Sequence, residues 1–185
     1  MVKVIGLIGP IGSGKTTLSE YLRDKYGYHI IIMGDLVREI AKERNIEPTR
    51  INLQEIQKEY TSKYGWDYFA RLVVKRVLEQ KMEKIVIDGM RRPHDVLIPK
   101  QAFKDNILII HLTSSPEVRF KRLLSRQRPG FPKTFEEFLE HDSRERKLFE
   151  LDESIKYADV TIENNGTIEE LYKKVDEVLQ KYGFT

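Results

Sequence analysis

The stretch "IGLIGPIGSGKTTLSEYL", from Ile5 to Leu22, constrains this chain more than any other. A strand-length run of branched apolar residues gives way to three glycines at positions 9, 12 and 14, and then to helical spacing. Gly9 to Thr16 reads "GPIGSGKT", which matches G-x-x-x-x-G-K-[ST] at every defined position. Glycine lets the backbone wrap around an anion with its N–H groups pointing inward, and the N-terminus of the following helix adds roughly half a positive charge. The pattern predicts a phosphate-binding loop made by Gly9, Gly12, Ser13, Gly14, Lys15, Thr16 and Thr17. Lys15 would reach the β and γ phosphates of a nucleotide, and the Thr16 hydroxyl would ligate Mg²⁺.

Four further short apolar runs follow the first, "VKVIGLI" (2–8): "YHIIIM" (28–33), "KIVID" (84–88), "NILIIHL" (106–112) and "ADVTI" (158–162). Each has strand length, and their near-continuous apolar character suits strands covered on both faces. Helical spacing fills the intervals. Thr167 with Glu170 and Thr134 with Glu137 form capping boxes, and Ser115 before Pro116 reads as a cap and first helical residue. Ile168, Leu171, Val175, Val178 and Leu179 mark one apolar face of the last helix. Strands alternating with helices predict a three-layer α/β fold around a five-stranded parallel sheet ordered 2-3-1-4-5, with helices on both faces. Helical segments concentrated over residues 35–82 predict an extra helical insertion between the second and third strands.

At 185 residues and 40% hydrophobic composition, the chain suits one substantial core, so residues 1–185 are expected to form a single domain. No apolar stretch approaches the roughly 20 residues needed to span a bilayer. Without cysteine, disulfides and thiolate chemistry are excluded, which fits a reducing, cytoplasmic setting. A net charge of +3, from 32 basic and 29 acidic side chains, is too balanced to call for a nucleic-acid partner. The oligomeric state is left between monomer and homodimer.

Other motifs narrow the phosphate chemistry. An N-K-x-D element for guanine recognition is absent, which argues against a regulatory GTPase, and "VIDGM" places Asp88 before glycine rather than before a second acid. A small phosphotransferase remains. "MGDLVREI" (33–40), "VIDGMRRP" (86–93) and "FKRLLSR" (120–126) resemble three segments of the adenylate kinases. The opening "IGLIGPIGSGK" is also similar to that of dephospho-CoA kinases. The nearest likeness is to archaeal proteins related to both groups.

That resemblance implies an ATP- and Mg²⁺-dependent kinase whose acceptor is a nucleoside monophosphate or similar small nucleotide. It implies that Asp35, Arg38 and Arg92 bind the acceptor, with Arg91 left as the alternative to Arg92. Arg122 and Arg126 would meet the transferring phosphoryl group, and a short lid would span residues 126–144. Asp88, at a strand C-terminus, is placed to hold a Mg²⁺-bound water with Thr16. Phosphoryl transfer needs positioning and charge neutralisation more than a strong base, so arginines and Mg²⁺ are the expected agents. Arg119, Arg122 and Arg126 follow i, i+3, i+7 along one helical stripe, Arg128 follows in the loop, and Arg144 and Arg146 are candidates to fold back over the site.

Two readings stay open beside this one: a dephospho-CoA kinase with Asp35 as general base, and a nucleotide-binding regulator that acts on no small acceptor. Asp35 is expected to cap the helix carrying Arg38, and Asp67 the helix that follows it. Trp66, Tyr68 and Phe69 read either as core or as a platform for a nucleobase. His29, His94, His111 and His141 lack metal-ligand spacing and are assigned to no zinc site.

Overall fold

A computed structural model describes residues 2–126 and 132–185, apart from the Arg50 side chain. Arg128 and part of the proposed lid therefore lie outside the described residues. In chain order the elements are β1 (Lys3–Ile8), α1 (Lys15–Tyr26), β2 (His29–Ile32), α2 (Met33–Glu43), α3 (Arg50–Tyr64) and α4 (Tyr68–Glu79). They continue as β3 (Lys84–Met90), α5 (Pro93–Phe103), β4 (Ile107–Thr113), α6 (Pro116–Ser125), α7 (Phe135–Leu148), α8 (Leu151–Ile155), β5 (Val160–Glu163) and α9 (Ile168–Tyr182).

The five strands pair in parallel in the order β2-β3-β1-β4-β5, as the alternation of elements predicts. Ile5 stands beside Val86 on one side and Leu108 on the other, and Leu112 pairs with Ile162. The continuous apolar strand sequences follow from this position. Val4, Ile5, Leu7 and Ile8 are all fully buried because β1 faces a helical layer on each side. One layer packs Leu18 and Leu22 of α1 with Leu171, Val175 and Leu179 of α9. The other packs Leu36 and Ile40 of α2, Phe69 and Val73 of α4, and Val96 of α5.

Local signals set most boundaries. Thr167 Oγ1 accepts from the Glu170 N–H while Glu170 accepts from the Thr167 N–H, and Thr134 with Glu137 repeats the arrangement at α7. Ser115 caps α6 by accepting from the Val118 N–H. One capping expectation needs correction and another holds in position only. α2 begins at Met33, so Asp35 lies inside its first turn rather than at the cap. Asp67 does stand at the N-cap of α4, but its carboxylate makes no cap bond and pairs with Arg71 at 3.1 Å. In both cases an arginine one turn along the helix competes for the carboxylate. Between β2 and β3 the chain supplies α2, α3 and α4, all on one face of the sheet.

Candidate active site

The site gathers at the C-terminal ends of the strands. β1 stops at Ile8, where its register against β3 shifts, and the backbone turns at once into the glycine loop. A Cβ on Gly9 would lie 2.1 Å from the Leu112 carbonyl oxygen, so the loop passes too close to β4 for any side chain there. Gly14, at φ 102°, turns the chain into α1, and a Cβ on it would meet the Asn164 side-chain nitrogen at 2.6 Å. Gly12 lends its carbonyl to Arg122. Ser13 is fully buried, and its hydroxyl is the one buried side-chain polar atom among the described residues with no hydrogen-bond partner. Thr16 is exposed and Thr17 half-buried in the first turn of α1.

Lys15 folds back over this loop, donating from Nζ to the carbonyls of Gly9 at 2.7 Å and Pro10 at 3.1 Å. Burial lowers its pKa to about 8; the Asp88 carboxylate opposes that shift, while the Arg91 guanidinium adds to it. Asp88 is itself buried at the end of β3, with Oδ2 3.1 Å from the Ser19 hydroxyl. Burial raises its pKa above the usual carboxylate range, against the pull of Lys15, Ser19, the Gly89 N–H and Arg91. An ammonium and a carboxylate thus act on each other in poorly solvated surroundings, and an exposed hydroxyl, Thr16, follows Lys15 in the first turn of α1. Hard oxygen donors of this kind, completed by nucleotide phosphates and water, suit Mg²⁺. No group of three His, Cys, Asp or Glu side chains gathers as a metal cluster among the described residues. His29 is exposed, His94 lies beside Asp95, His111 is buried against Thr161, and His141 is half-buried.

Behind the loop, two arginines of α6 are built into the scaffold. Arg119 is buried and forms a bidentate pair with Asp142 of α7 at 2.7 and 2.8 Å, while also donating to the carbonyls of Ile11 and Ser114. It is therefore absorbed in holding α7 and the glycine loop together, and the helical stripe of three arginines does not act as one surface. Arg122 donates to the Ser114 hydroxyl at 3.0 Å and to the Asn164 carbonyl at 3.0 Å, besides Gly12. Asn164 in turn donates from its amide to the Ser13 carbonyl at 2.9 Å. Arg126 ends α6 with its side chain exposed. Arg144 bonds to the Glu140 carbonyl of its own helix, and Arg146 pairs with Asp152. α7 turns Asp142 toward the site, and Glu145 favours the charged form of Lys15.

Within α2, Arg38 pairs with Asp35 at 2.6 Å, with both side chains about half exposed. The Asp95 carboxylate, buried at the start of α5, accepts from the N–H groups of Arg91 at 3.0 Å and Arg92 at 2.9 Å. Both side chains lie over the Phe149 ring, but Arg91 is also within electrostatic reach of Lys15 and Asp88, whereas Arg92 also lies over the exposed ring of Trp66. The aromatic group read from the sequence divides likewise. Phe69 is core, Tyr68 stacks half-buried among Tyr60 and Tyr64, and Trp66 stands at the surface. Sequence reading missed Ser19, Asp95, Asp142, Phe149 and Asn164. Only Ser19 had a usable signal, since it lies one helical turn beyond Lys15.

Comparison with known proteins bears on the family and the fold. Residues 8–140 match the family described as AAA domain. The UPF0200 protein of Pyrococcus horikoshii is 34% identical over 96% of this chain and 96% of its own length. The UPF0200/UPF0201 protein of Archaeoglobus fulgidus is 36% identical over 97% of this chain, and this chain spans 56% of that relative's length. Among solved structures, shikimate kinase from Acinetobacter baumannii in complex with shikimate superposes with a TM-score of 0.63 over 100% of this chain and 97% of its own, at 16% identity. That likeness shows an α/β P-loop kinase fold. No helix among the described residues is long and apolar enough to cross a membrane.

Proposed function

This chain belongs to the UPF0200 family, and from that premise we propose that it transfers a phosphoryl group from ATP to a small nucleotide-type acceptor that already bears a phosphate. The observation that carries the reading is the P-loop with Lys15 bonded back to the Gly9 and Pro10 carbonyls, near the buried Asp88 carboxylate on which both Lys15 and Arg91 act. A donor phosphate on the loop and an anionic acceptor beside Arg91 would then face each other across it.

In this reading the loop amides from Gly9 to Thr17 and Lys15 hold the β and γ phosphates, with Lys15 leaving the Gly9 and Pro10 carbonyls to do so. Thr16 and Asp88 hold Mg²⁺, which when bound neutralises phosphate charge. Arg38, Arg91 and Arg92 neutralise the acceptor, and Arg126, with Arg122, meets the charge that spreads over the transferring group. The region 35–82 serves as the acceptor-binding insertion and 126–144 as a short lid that excludes water. A phosphate acceptor needs no strong general base, which accords with an Asp35 engaged by Arg38.

The test is ATP consumption with Mg²⁺ against nucleoside and deoxynucleoside monophosphates, dephospho-CoA and shikimate, with products identified by mass. One phosphate-bearing acceptor should raise turnover by orders of magnitude over the Lys15→Ala protein. Slow hydrolysis indifferent to every acceptor, or phosphorylation of a hydroxyl in dephospho-CoA or shikimate, overturns the reading.

A further inference from the structure

Arg91 and Arg92 are adjacent in sequence, and both guanidinium groups lie over one aromatic ring. The Arg91 guanidinium carbon is 4.7 Å from the Phe149 ring centroid and that of Arg92 is 5.3 Å from it. Arg92 also lies 5.7 Å from the ring of Trp66, the only tryptophan in the chain. Two cations side by side repel, and the negative face of a ring offsets part of that repulsion within about 6 Å. Asp95 fixes the backbone of the pair through both N–H groups, so the ring is left to set the side chains.

Phe149 comes from far along the chain and its placement is specific. It closes α7, with its N–H donating to the Glu145 carbonyl at 3.0 Å, and Glu150 then adopts a left-handed conformation at φ 51° that breaks the chain away into α8. Asp142, Glu145 and Phe149 follow i, i+3, i+7, so they share one face of α7. The Asp142 end of that face binds Arg119, which reaches the Ile11 carbonyl inside the P-loop. The Phe149 end carries the two arginines. A single helix face therefore runs from the donor loop to the acceptor side.

We propose that Phe149 is a positioning residue whose ring aligns Arg91 and Arg92 as a paired site for a phosphate-monoester dianion, at a distance from the P-loop fixed by α7. The inference rests on the kinase reading above only in taking that dianion to belong to the acceptor. It makes Arg91 and Arg92 partners rather than alternatives.

Trp66 provides a readout that does not depend on turnover. Ribose 5-phosphate, which is transparent where tryptophan absorbs, is titrated into the full chain while Trp66 emission is followed, alongside Phe149→Leu and Phe149→Tyr. Leucine keeps an apolar filling without the ring face, and tyrosine keeps the ring. Phe149→Leu should weaken ribose 5-phosphate binding by about fivefold to thirtyfold. Phe149→Tyr should stay within about twofold of the wild type, and both should bind a fluorescent ATP analogue as the wild type does. In turnover with the identified acceptor, Phe149→Leu should raise KM more than it lowers kcat. Unchanged affinity in Phe149→Leu, a wild-type protein whose Trp66 ignores ribose 5-phosphate, or parallel loss of sugar-phosphate and nucleotide binding in both variants overturns the inference. The two readings fail separately. Acceptor-dependent turnover indifferent to Phe149 removes this inference and keeps the kinase; a ring-dependent anion site without any stimulating acceptor does the reverse.

Discussion

The two walls of the proposed site, a donor wall and an acceptor wall, are built by different means. On the donor side, the P-loop is lashed from behind by Arg119, Arg122 and Asn164, and the Arg119–Asp142 pair has side chains only 3% and 10% exposed. On the acceptor side, Arg38 and Asp35 are 55% and 47% exposed and bonded to each other within one helical turn, and Arg92 rests on aromatic rings. Charge on the donor wall is desolvated and committed to fixed partners, whereas charge on the acceptor wall is solvated and adaptable. Nucleotide phosphates present the same shape in every donor, so a rigid cradle loses nothing there. In the proposed reaction an acceptor is recruited and released, and half-solvated arginines can turn toward it without breaking a buried network.

The contrast is sharpest where stability is read. Arg119→Met leaves Asp142 buried without its cation, and the expected destabilisation is about 3–5 kcal/mol, lowering Tm by about 10 °C in calorimetry. A Tm within a degree or two of wild type would erase the distinction between the walls. Next comes Lys15→Ala, which should lower kcat by about 10²–10³-fold while leaving the fold intact by circular dichroism. Arg92→Ala should raise the KM for acceptor by about tenfold to a hundredfold with little change in nucleotide affinity. Equal losses for both ligands would mean that the walls do not act separately.

A pH titration probes the donor wall alone. Because the Lys15 pKa in the empty protein lies near 8, its ammonium is half deprotonated there, and a bound polyphosphate favours the charged form. Nucleotide affinity should fall by up to tenfold per pH unit above pH 8, and Lys15→Met should lack that component of the fall. Stability runs the other way. With the folded pKa below the ordinary 10.5, the unfolded chain binds more protons between about pH 8 and 10.5. The empty protein should therefore gain stability relative to Lys15→Met as pH rises through that window. Smallest of all, Asp35→Asn should change stability by less than about 0.5 kcal/mol, since it breaks an exposed pair. It should leave transfer to a phosphate largely in place.

Sequence reading served the donor wall better than the acceptor wall, but only for the loop itself. Gly9 to Thr16 are contiguous, and their spacing alone specifies a turn of backbone amides followed by a helix N-terminus. The strand order followed from alternation because right-handed crossovers leave few arrangements. Capping boxes at Thr134 and Thr167 were legible because donor and acceptor stand three residues apart. Asp35 was misread as a cap, and Asp67 holds the N-cap position without capping, because local spacing equally allows an ion pair along the helix, and solvent-exposed arginines took up both carboxylates.

What the sequence by itself determined is whatever depends on neighbours along the chain: the phosphate loop, the helix starts and the burial of the three central strands β1, β3 and β4. Tertiary structure alone decided which charges are free to act. Arg119, Arg122 and Arg126 have equivalent helical spacing, yet the first is neutralised by Asp142, 23 residues away, the second braces Asn164, and the third is exposed. Asn164 reaches Ser13 across 151 residues, and Phe149 reaches Arg91 across α5, β4, α6 and α7. A guanidinium's role depends on its partners and its distance from water, and both are set by packing between segments remote in the chain.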